Sequence, residues 1–291
     1  MKFKKRIKHQ AVYWLLLGLK QLVLWIPFRL AKKIAEILAI LGYYLVKKNR
    51  NRILYNLKHI YNSKLTDPEL RKLAKATYKH WAKCVIELLS IPKFSTEKLN
   101  RLIRIEGQDN LDAARQRNQG LVCVLAHYGN WELVGAYYAK VYHEPISVVG
   151  NELYDRKLDR LLNQIREQAG LNILNRGNAL KASLAAIRKK EVLAIMADYD
   201  GGGETVQLPF FESTIPFPTA PLYFAYRSGA PVLPVFIIRQ PDDTHCIYIE
   251  KPLTIGKEKD ISTDFRNFIA EFVGLIETYI NRAPTQWVWM E

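Results

Sequence analysis

From residue 121 onward the chain alternates short apolar runs with longer segments of helical periodicity, and this alternation restricts the fold more than any other feature. Apolar runs of four to seven residues predict buried strands at 121–126, 146–149, 171–174, 192–197 and 232–238. The segments between them predict helices at 130–141, 154–169, 179–189 and 218–228. Strands separated by helices of this length form βαβ units. We therefore predict an α/β fold with a mainly parallel sheet covered by helices on both faces.

Three further elements complete the prediction. Asp67-Pro68 begins a helix that runs to residue 90, since proline is well tolerated at the first helical position and the apolar period continues from there. Residues 246–250 are expected to form an edge strand, and residues 262–282 a closing helix.

The 291 residues include 43 Lys+Arg and 28 Asp+Glu, a formal net charge of +15, and most of the excess lies at the N-terminus. Residues 1–58 hold 14 basic residues and one acidic residue, Glu36, whereas the remainder has a net charge of +2. The basic residues surround two apolar stretches, 11–28 and 34–46. This pattern favours an anionic membrane surface as the partner and disfavours nucleic acid.

We therefore divide the chain into basic N-terminal membrane-anchoring helices at 1–58 and an α/β domain at 59–291. The anchor is expected to be one short span or a re-entrant helical hairpin, with Trp14, Trp25, Tyr43 and Tyr44 at the headgroup boundary. The alternative is a pair of amphipathic helices packed on the protein's own core.

The segment HYGNWE, residues 127–132, carries the clearest chemistry and follows the first predicted strand of the α/β region. Functional side chains of parallel sheets collect beyond the carboxyl ends of the strands, where His127 is expected. Glu132, about one turn into the next helix, is placed to fix the tautomer of His127 and raise its basicity. We predict that His127 is a general base and that Glu132 orients it. His127 would deprotonate a substrate hydroxyl for direct transfer, without a covalent enzyme intermediate.

The same segment supplies candidates for stabilising negative charge. Backbone N–H groups near Gly129 and Asn130, at the start of a helix, are the expected donors to an oxyanion. No metal is expected, because one histidine and one glutamate provide only two ligands and the three cysteines form no CxxC pair.

HYGNWE is similar to the HFGNWE block of the HtrB-type late acyltransferases of lipid A biosynthesis, within the wider acyltransferase group marked by His-x4-Asp/Glu. Further blocks match in order along nearly the whole chain: RILYNL at 52–57, LAIMADYD at 193–200, LPFF at 208–211, TAPLYFAYRSGAPVLPVF at 219–236 and PTQWVWM at 284–290. The chain departs from the family pattern at Glu212, which replaces a glycine, and at FPTAPL in place of TPTGPA. Both changes fall in loops expected to line the substrate site.

The resemblance implies a glycerol-3-phosphate acyltransferase-like fold. It also implies transfer of a fatty acyl chain from acyl carrier protein or coenzyme A to a hydroxyl of a lipid A precursor or related glycolipid. It implies no cofactor beyond this thioester co-substrate. The expected location is the cytoplasmic face of the cell inner membrane.

The resemblance also carries roles over to individual residues. The catalytic pair falls on His127 and Glu132. The basic residues past the second strand match Arg166, with Arg176 as a weaker candidate, and would face phosphate or the phosphopantetheine of the carrier. Asp198 and Asp200, within LAIMADYD, are expected to contact substrate.

Two other functions stay open. One is a lysophospholipid or other glycolipid acyltransferase that uses the same catalytic pair. The other is a non-enzymatic membrane-surface binding protein built on the same fold, for which His127 or Glu132 would be dispensable.

Overall fold

The computed structural model describes residues 14, 17–23, 25–61, 64–150, 155–175, 178–199, 202–253 and 261–289. Its helices are α1 (Phe28–Leu45), α2 (Lys47–Tyr61), α3 (Asp67–Ser90), α4 (Thr96–Leu102), α5 (Gln108–Gln116), α6 (Trp131–Tyr137), α7 (Arg156–Gln168), α8 (Ala179–Arg188), α9 (Ala220–Ser228) and α10 (Ile261–Arg282). Its strands are β1 (Ile103–Glu106), β2 (Leu121–Leu125), β3 (Ile146–Gly150), β4 (Leu171–Asn175), β5 (Val192–Met196), β6 (Thr205–Phe210), β7 (Ser213–Pro218), β8 (Val232–Arg239) and β9 (His245–Ile249).

The central sheet has seven strands in the order β1-β9-β8-β2-β5-β3-β4. Strands β8, β2, β5, β3 and β4 run parallel to one another, whereas β9 pairs antiparallel with β8 and parallel with β1. The predicted mainly parallel α/β sheet is confirmed. The prediction that 246–250 forms an edge strand is wrong, because β1 covers it. The sequence of β1, IRIE, contains only two apolar residues and therefore presents no apolar run to detect.

Side chains of the central strands point alternately to two separate cores. Leu121, Cys123 and Leu125 of β2 face a core formed with α4, α5, α6 and α7. Val122 and Val124 face the opposite core, to which α8, α9 and α10 contribute. Because both faces are buried, the strand sequences are continuously apolar rather than alternating.

The N-terminal helices α1 and α2 pack on the rest of the chain. Helix α1 lies along α3, with Ala31, Ala35 and Ala39 buried at four-residue spacing. Helix α2 inserts Ile53 and Leu57, both fully buried, into the core that contains Val122. No helix among the described residues is long and apolar enough to cross a bilayer.

A hairpin formed by β6 and β7 was not predicted from the sequence, because its prolines and its Phe-Glu turn interrupt the strand pattern. Phe211 in the turn has a φ of +51°, and its N–H donates to the Glu277 carboxylate. Leu208, Phe210 and Phe217 from the two strands are buried in the core below. Pro218, the last residue of β7, lines the cavity of the site described next.

Candidate active site

His127 lies immediately beyond the carboxyl end of β2, in the loop that leads to α6. Its Nδ1 is 2.8 Å from Oδ1 of Asp198, and its backbone N–H donates to Oδ2 of the same carboxylate at 2.6 Å. Asp198 follows the neighbouring strand β5, and its side chain is 2% exposed. Because a carboxylate oxygen only accepts, Nδ1 carries a proton and Nε2 is the basic nitrogen.

Glu132 makes a different contact from the one that the sequence suggested. Its two carboxylate oxygens accept hydrogen bonds from Nε of Arg166 at 3.0 and 3.2 Å, and one of them also accepts from Nη2. Burial alone would lower the pKa of Arg166, but the bonds to Glu132 raise it above its usual value. The ring of His127 is thus held by Asp198, whereas Glu132 holds the guanidinium of Arg166.

The loop itself is fixed by the C-terminal segment. Gly129 N–H donates to the Gln286 carbonyl at 2.9 Å, and Val288 N–H donates to the His127 carbonyl at 3.2 Å. Gly129 has a φ of +62°, and a Cβ built on it would lie 1.8 Å from the Ile237 carbonyl oxygen. The expectation that Gly129 N–H serves an oxyanion is wrong, because this donor is already bonded within the protein.

Asn130 is buried beneath the loop rather than presented to a substrate. It is 2% exposed, and its Nδ2 donates to Glu87 at 2.8 Å. It occupies the position before the first turn of α6, but its side chain makes no capping hydrogen bond there. The structure therefore supports a role for the Asn130 side chain in holding the loop in place.

Glu87 is the centre of a buried polar cluster that the sequence did not reveal. It is fully buried on α3 and accepts hydrogen bonds from Arg239 and contacts His245 Nε2 at 3.3 Å. Burial alone would raise the pKa of Glu87, but His245 and Arg239 hold it well below its usual range. The helical period from Leu70 reaches position 87, which was the one available signal that this carboxylate lies inside.

Two other sequence predictions lie outside the described residues. Arg176 and Asp200 fall in the gaps at 176–177 and 200–201.

A large apolar cavity opens beside His127, with a volume of about 820 Å³. His127, Glu132 and Arg166 line it at one end, and Trp131 packs edge-on against the His127 ring with centroids 4.9 Å apart. The cavity then runs under α6, along the sheet face that carries Leu121, Cys123 and Leu125. Its walls are otherwise mostly aliphatic and aromatic, which suits a hydrocarbon ligand.

Within the described part of the chain, no group of three or more His, Cys, Asp or Glu side chains is arranged to hold a metal ion. The three cysteines are buried and unpaired with one another. Burial raises the pKa of the Cys84 and Cys123 thiols to about 12, so neither is a ready nucleophile.

The fold and site define an α/β protein with a carboxylate-held histidine in the wall of a large apolar cavity. The chain matches the family described as "Bacterial lipid A biosynthesis acyltransferase" over residues 1–291, and it belongs to that family. This is an acyltransferase family.

Relatives with curated names agree with this assignment. The chain is 24% identical over 295 residues to the Escherichia coli (strain K12) "Lipid A biosynthesis palmitoleoyltransferase", covering 99% of this chain and 93% of the relative. It is 24% identical to the Haemophilus influenzae "Lipid A biosynthesis acyltransferase", covering 95% and 85%. It is 26% identical over 207 residues to a Mycobacterium tuberculosis "Phosphatidylinositol mannoside acyltransferase", covering 69% of this chain and 60% of that protein.

Proposed function

We propose that this protein transfers a fatty acyl chain from a thioester to a hydroxyl group of a membrane glycolipid. The observation that carries the proposal is the His127–Asp198 pair at the mouth of the apolar cavity. A basic imidazole nitrogen supplies the proton acceptor, and the cavity supplies room for the acyl chain. Membership of an acyltransferase family supports the same chemistry.

In the proposed reaction, Nε2 of His127 takes the proton of the acceptor hydroxyl as its oxygen attacks the thioester carbonyl carbon. The carbon–sulfur bond then breaks, and the imidazolium returns its proton to the leaving thiolate. Asp198 keeps Nδ1 protonated and stabilises the imidazolium that forms between the two steps. Each proton taken is returned, so neither the histidine nor the aspartate is consumed.

Glu132 and Arg166 are proposed to act together. Their contact aligns the guanidinium at the cavity wall close to the His127 end. A fixed positive charge there attracts a phosphate of the acceptor or of the carrier arm, and it favours negative charge that develops on the carbonyl oxygen. Glu132 in this proposal is a positioning residue for Arg166.

The donor and acceptor follow from the site and the relatives' names. An apolar cavity favours a fatty acyl thioester, either acyl carrier protein or coenzyme A. The relatives' names mention lipid A biosynthesis and phosphatidylinositol mannoside, so we propose a lipid A precursor or a related glycolipid as acceptor. A lysophospholipid acceptor would use the same groups. The lipid analysis described below distinguishes it from a glycolipid acceptor.

We also propose that the N-terminal helices hold the enzyme on an anionic membrane surface at the cytoplasmic face of the inner membrane. Helix α1 is inverted relative to an ordinary surface helix, because its alanines face the protein and its large apolar side chains face outward. The exposed apolar residues are Leu30, Ile34, Ile37, Leu38, Leu41 and Leu45. Exposed basic residues flank them at Arg29, Lys33, Lys47 and Lys48. An apolar face with basic flanks is typical of helices that lie in the membrane interface.

The position of α7 supports the same orientation. Lys157, near the start of α7, places its Nζ 6.0 Å from the ring centroid of Trp14 in the N-terminal region. Helix α7 also carries Arg166 at the cavity wall. The N-terminal helical region therefore adjoins an element of the site, which favours entry of lipids directly from the membrane.

The test compares membrane lipids by mass spectrometry from cells that make the wild-type protein, His127→Ala or the control His143→Asn. His143 is exposed and has a left-handed φ of +57°, which asparagine tolerates. We expect His127→Ala to lose the acylated product by roughly 10²- to 10⁴-fold, as for loss of a general base, and the control to keep it. Near-normal acylation by folded His127→Ala would rule the mechanism out. The class of lipid that loses a chain identifies the acceptor.

A further inference from the structure

The apolar cavity has two chemically different ends. His127 lies at the carboxyl edge of the parallel strands, and Leu121, which also lines the cavity, begins β2 at the opposite edge. Helix α6 runs back above the sheet from the His127 end. The residues that follow it, Tyr138 and Tyr142, line the cavity beyond Val134 and Gly135. The tyrosines therefore lie at the end that is remote from the reacting groups.

The backbone changes its winding at this remote end. Residues Tyr138–Tyr142 form a single π-helical turn directly after α6. Turns of this kind are rare and are frequently found at functional sites. Here the turn brings the rings of Tyr138 and Tyr142 together, with centroids 5.3 Å apart and both rings at the cavity wall.

The two rings are held by polar groups on their outer side. Tyr142 donates its hydroxyl to Gln108, and Tyr138 donates its hydroxyl to Glu144. Arg115 Nη2 contacts Glu144 at 2.9 Å, and its guanidinium lies 4.5 Å from the centroid of the Tyr142 ring. A hydrocarbon chain that passed the rings would separate these groups from their partners without replacing the hydrogen bonds.

We propose that Tyr138 and Tyr142 close the cavity and set the longest acyl chain that the enzyme accepts. This inference rests on the proposed function, because it takes an acyl chain as the ligand. Six residues of extended chain separate Leu121 from His127, a distance of roughly 20 Å at about 3.3 Å per residue. An extended hydrocarbon advances roughly 1.3 Å per carbon, from C–C bonds of about 1.5 Å. The limit is therefore roughly 15 carbons.

Binding of free saturated fatty acids tests the limit without any need for catalysis. The purified full-length protein is titrated with fatty acids from about 10 to about 20 carbons, and the affinity should rise about fourfold per methylene until the chain reaches the tyrosines. Beyond that length the affinity should stop rising. In Tyr142→Ala the rise should continue for roughly two to four more carbons, because the missing ring leaves a void.

Tyr142→Phe is the matched control, since it keeps the ring and removes only the hydroxyl bond to Gln108. It should keep the wild-type limit. Tyr138→Leu serves as a second opening variant if Tyr142→Ala does not fold. An unchanged limit in a folded opening variant would overturn the proposal, and so would a wild-type affinity that rises without a break through the whole series.

Failure of this inference differs from failure of the proposed function. A wild-type protein that shows the length limit but makes no acylated lipid would contradict acyl transfer and leave the tyrosine stop standing. A protein that acylates a glycolipid, but whose chain-length limit is unchanged in Tyr142→Ala, would support acyl transfer and contradict the tyrosine stop. The acyl chains found on the product lipid give an independent measure of the same limit.

Discussion

Single side chains decide which nitrogen of His127 can act. Asp198 contacts both the ring and the backbone of His127, and its own side chain is almost completely buried. The ring cannot turn without breaking the Nδ1 contact. The proposed basicity of Nε2 therefore depends on one carboxylate from the neighbouring strand.

Asp198→Asn is expected to lower the rate of acyl transfer by roughly 10²- to 10⁴-fold, because the amide no longer stabilises the imidazolium and also permits the other tautomer. Rates measured with purified protein check this, with Asp109→Asn on the exposed face of α5 as the control. A loss confined to Glu132→Gln, with Asp198→Asn fully active, would restore the sequence-based assignment of the orienting carboxylate.

Protonation of buried histidines links stability to pH. Burial and the neighbouring Arg239 place the pKa of His80 well below 6.5, whereas the unfolded chain binds this proton near its ordinary value. Below about pH 6.5 the unfolded state therefore holds more protons, and the free energy of unfolding decreases as pH falls.

We expect this decrease to be about 1.4 kcal/mol per pH unit for His80, over the interval between its two pKa values. His80→Gln should reduce the slope, and urea unfolding at several pH values between 5 and 7, about the histidine range, measures it. Equal slopes for both proteins would contradict the prediction.

At the scale of elements, the loop between β2 and α6 is held by hydrogen bonds from two directions. It is bonded to the C-terminal segment through Gly129 and Val288, and from below through Asn130 and Glu87. The C-terminal segment therefore helps to hold a loop that lies more than a hundred residues earlier in the chain.

Gly129→Ala should destabilise the protein by about 2 kcal/mol or more and abolish activity. The new Cβ would clash with the Ile237 carbonyl, and alanine is strained at the positive φ of this position. Gly229 is the matched control: it also has a positive φ, +70°, but has open space around the position of a Cβ. Gly229→Ala should cost about 1 kcal/mol and keep activity. Thermal unfolding and acyl-transfer assays compare the two variants. Equal losses of stability and activity would show that the positive φ alone causes them and that the clash with Ile237 contributes nothing.

At the scale of the whole molecule, the proposal that the enzyme works at a lipid surface rests on the exposed apolar side chains of α1 and on the apolar cavity. Along the sequence, the positive charge is concentrated in residues 1–58, whereas the remainder is nearly neutral. Attraction of this basic region to anionic lipids weakens with salt, whereas insertion of the apolar face of α1 does not.

We expect the protein to sediment with anionic vesicles of phosphatidylglycerol and only weakly with neutral phosphatidylcholine. Leu41→Glu on α1 should weaken binding by roughly tenfold or more, since it removes an exposed leucine that would insert into the lipid interface. Tyr226→Glu, on α9, is the control because it changes the charge equally at a residue that is also 52% exposed. Equal losses in both variants would contradict docking through α1.

Much of the α/β part was predictable because buried parallel strands must be apolar throughout, and this leaves a readable run for each of them. β1 and the β6–β7 hairpin were not predictable, since IRIE is half polar and the hairpin is interrupted by prolines. The internal position of β9 depended on β1 and was missed with it.

By itself, the sequence determined the parallel strands of the sheet, the position of His127 at the end of one of them and the membership of an acyltransferase family. Only the tertiary structure decided the partners: Asp198 lies beside His127 because β2 and β5 are neighbours in the sheet, although the residues are 71 positions apart. Glu132 is near His127 in the chain, but the structure pairs it with Arg166. Spacing along a chain limits which side chains can meet, whereas the order of strands and the packing of helices select the ones that do.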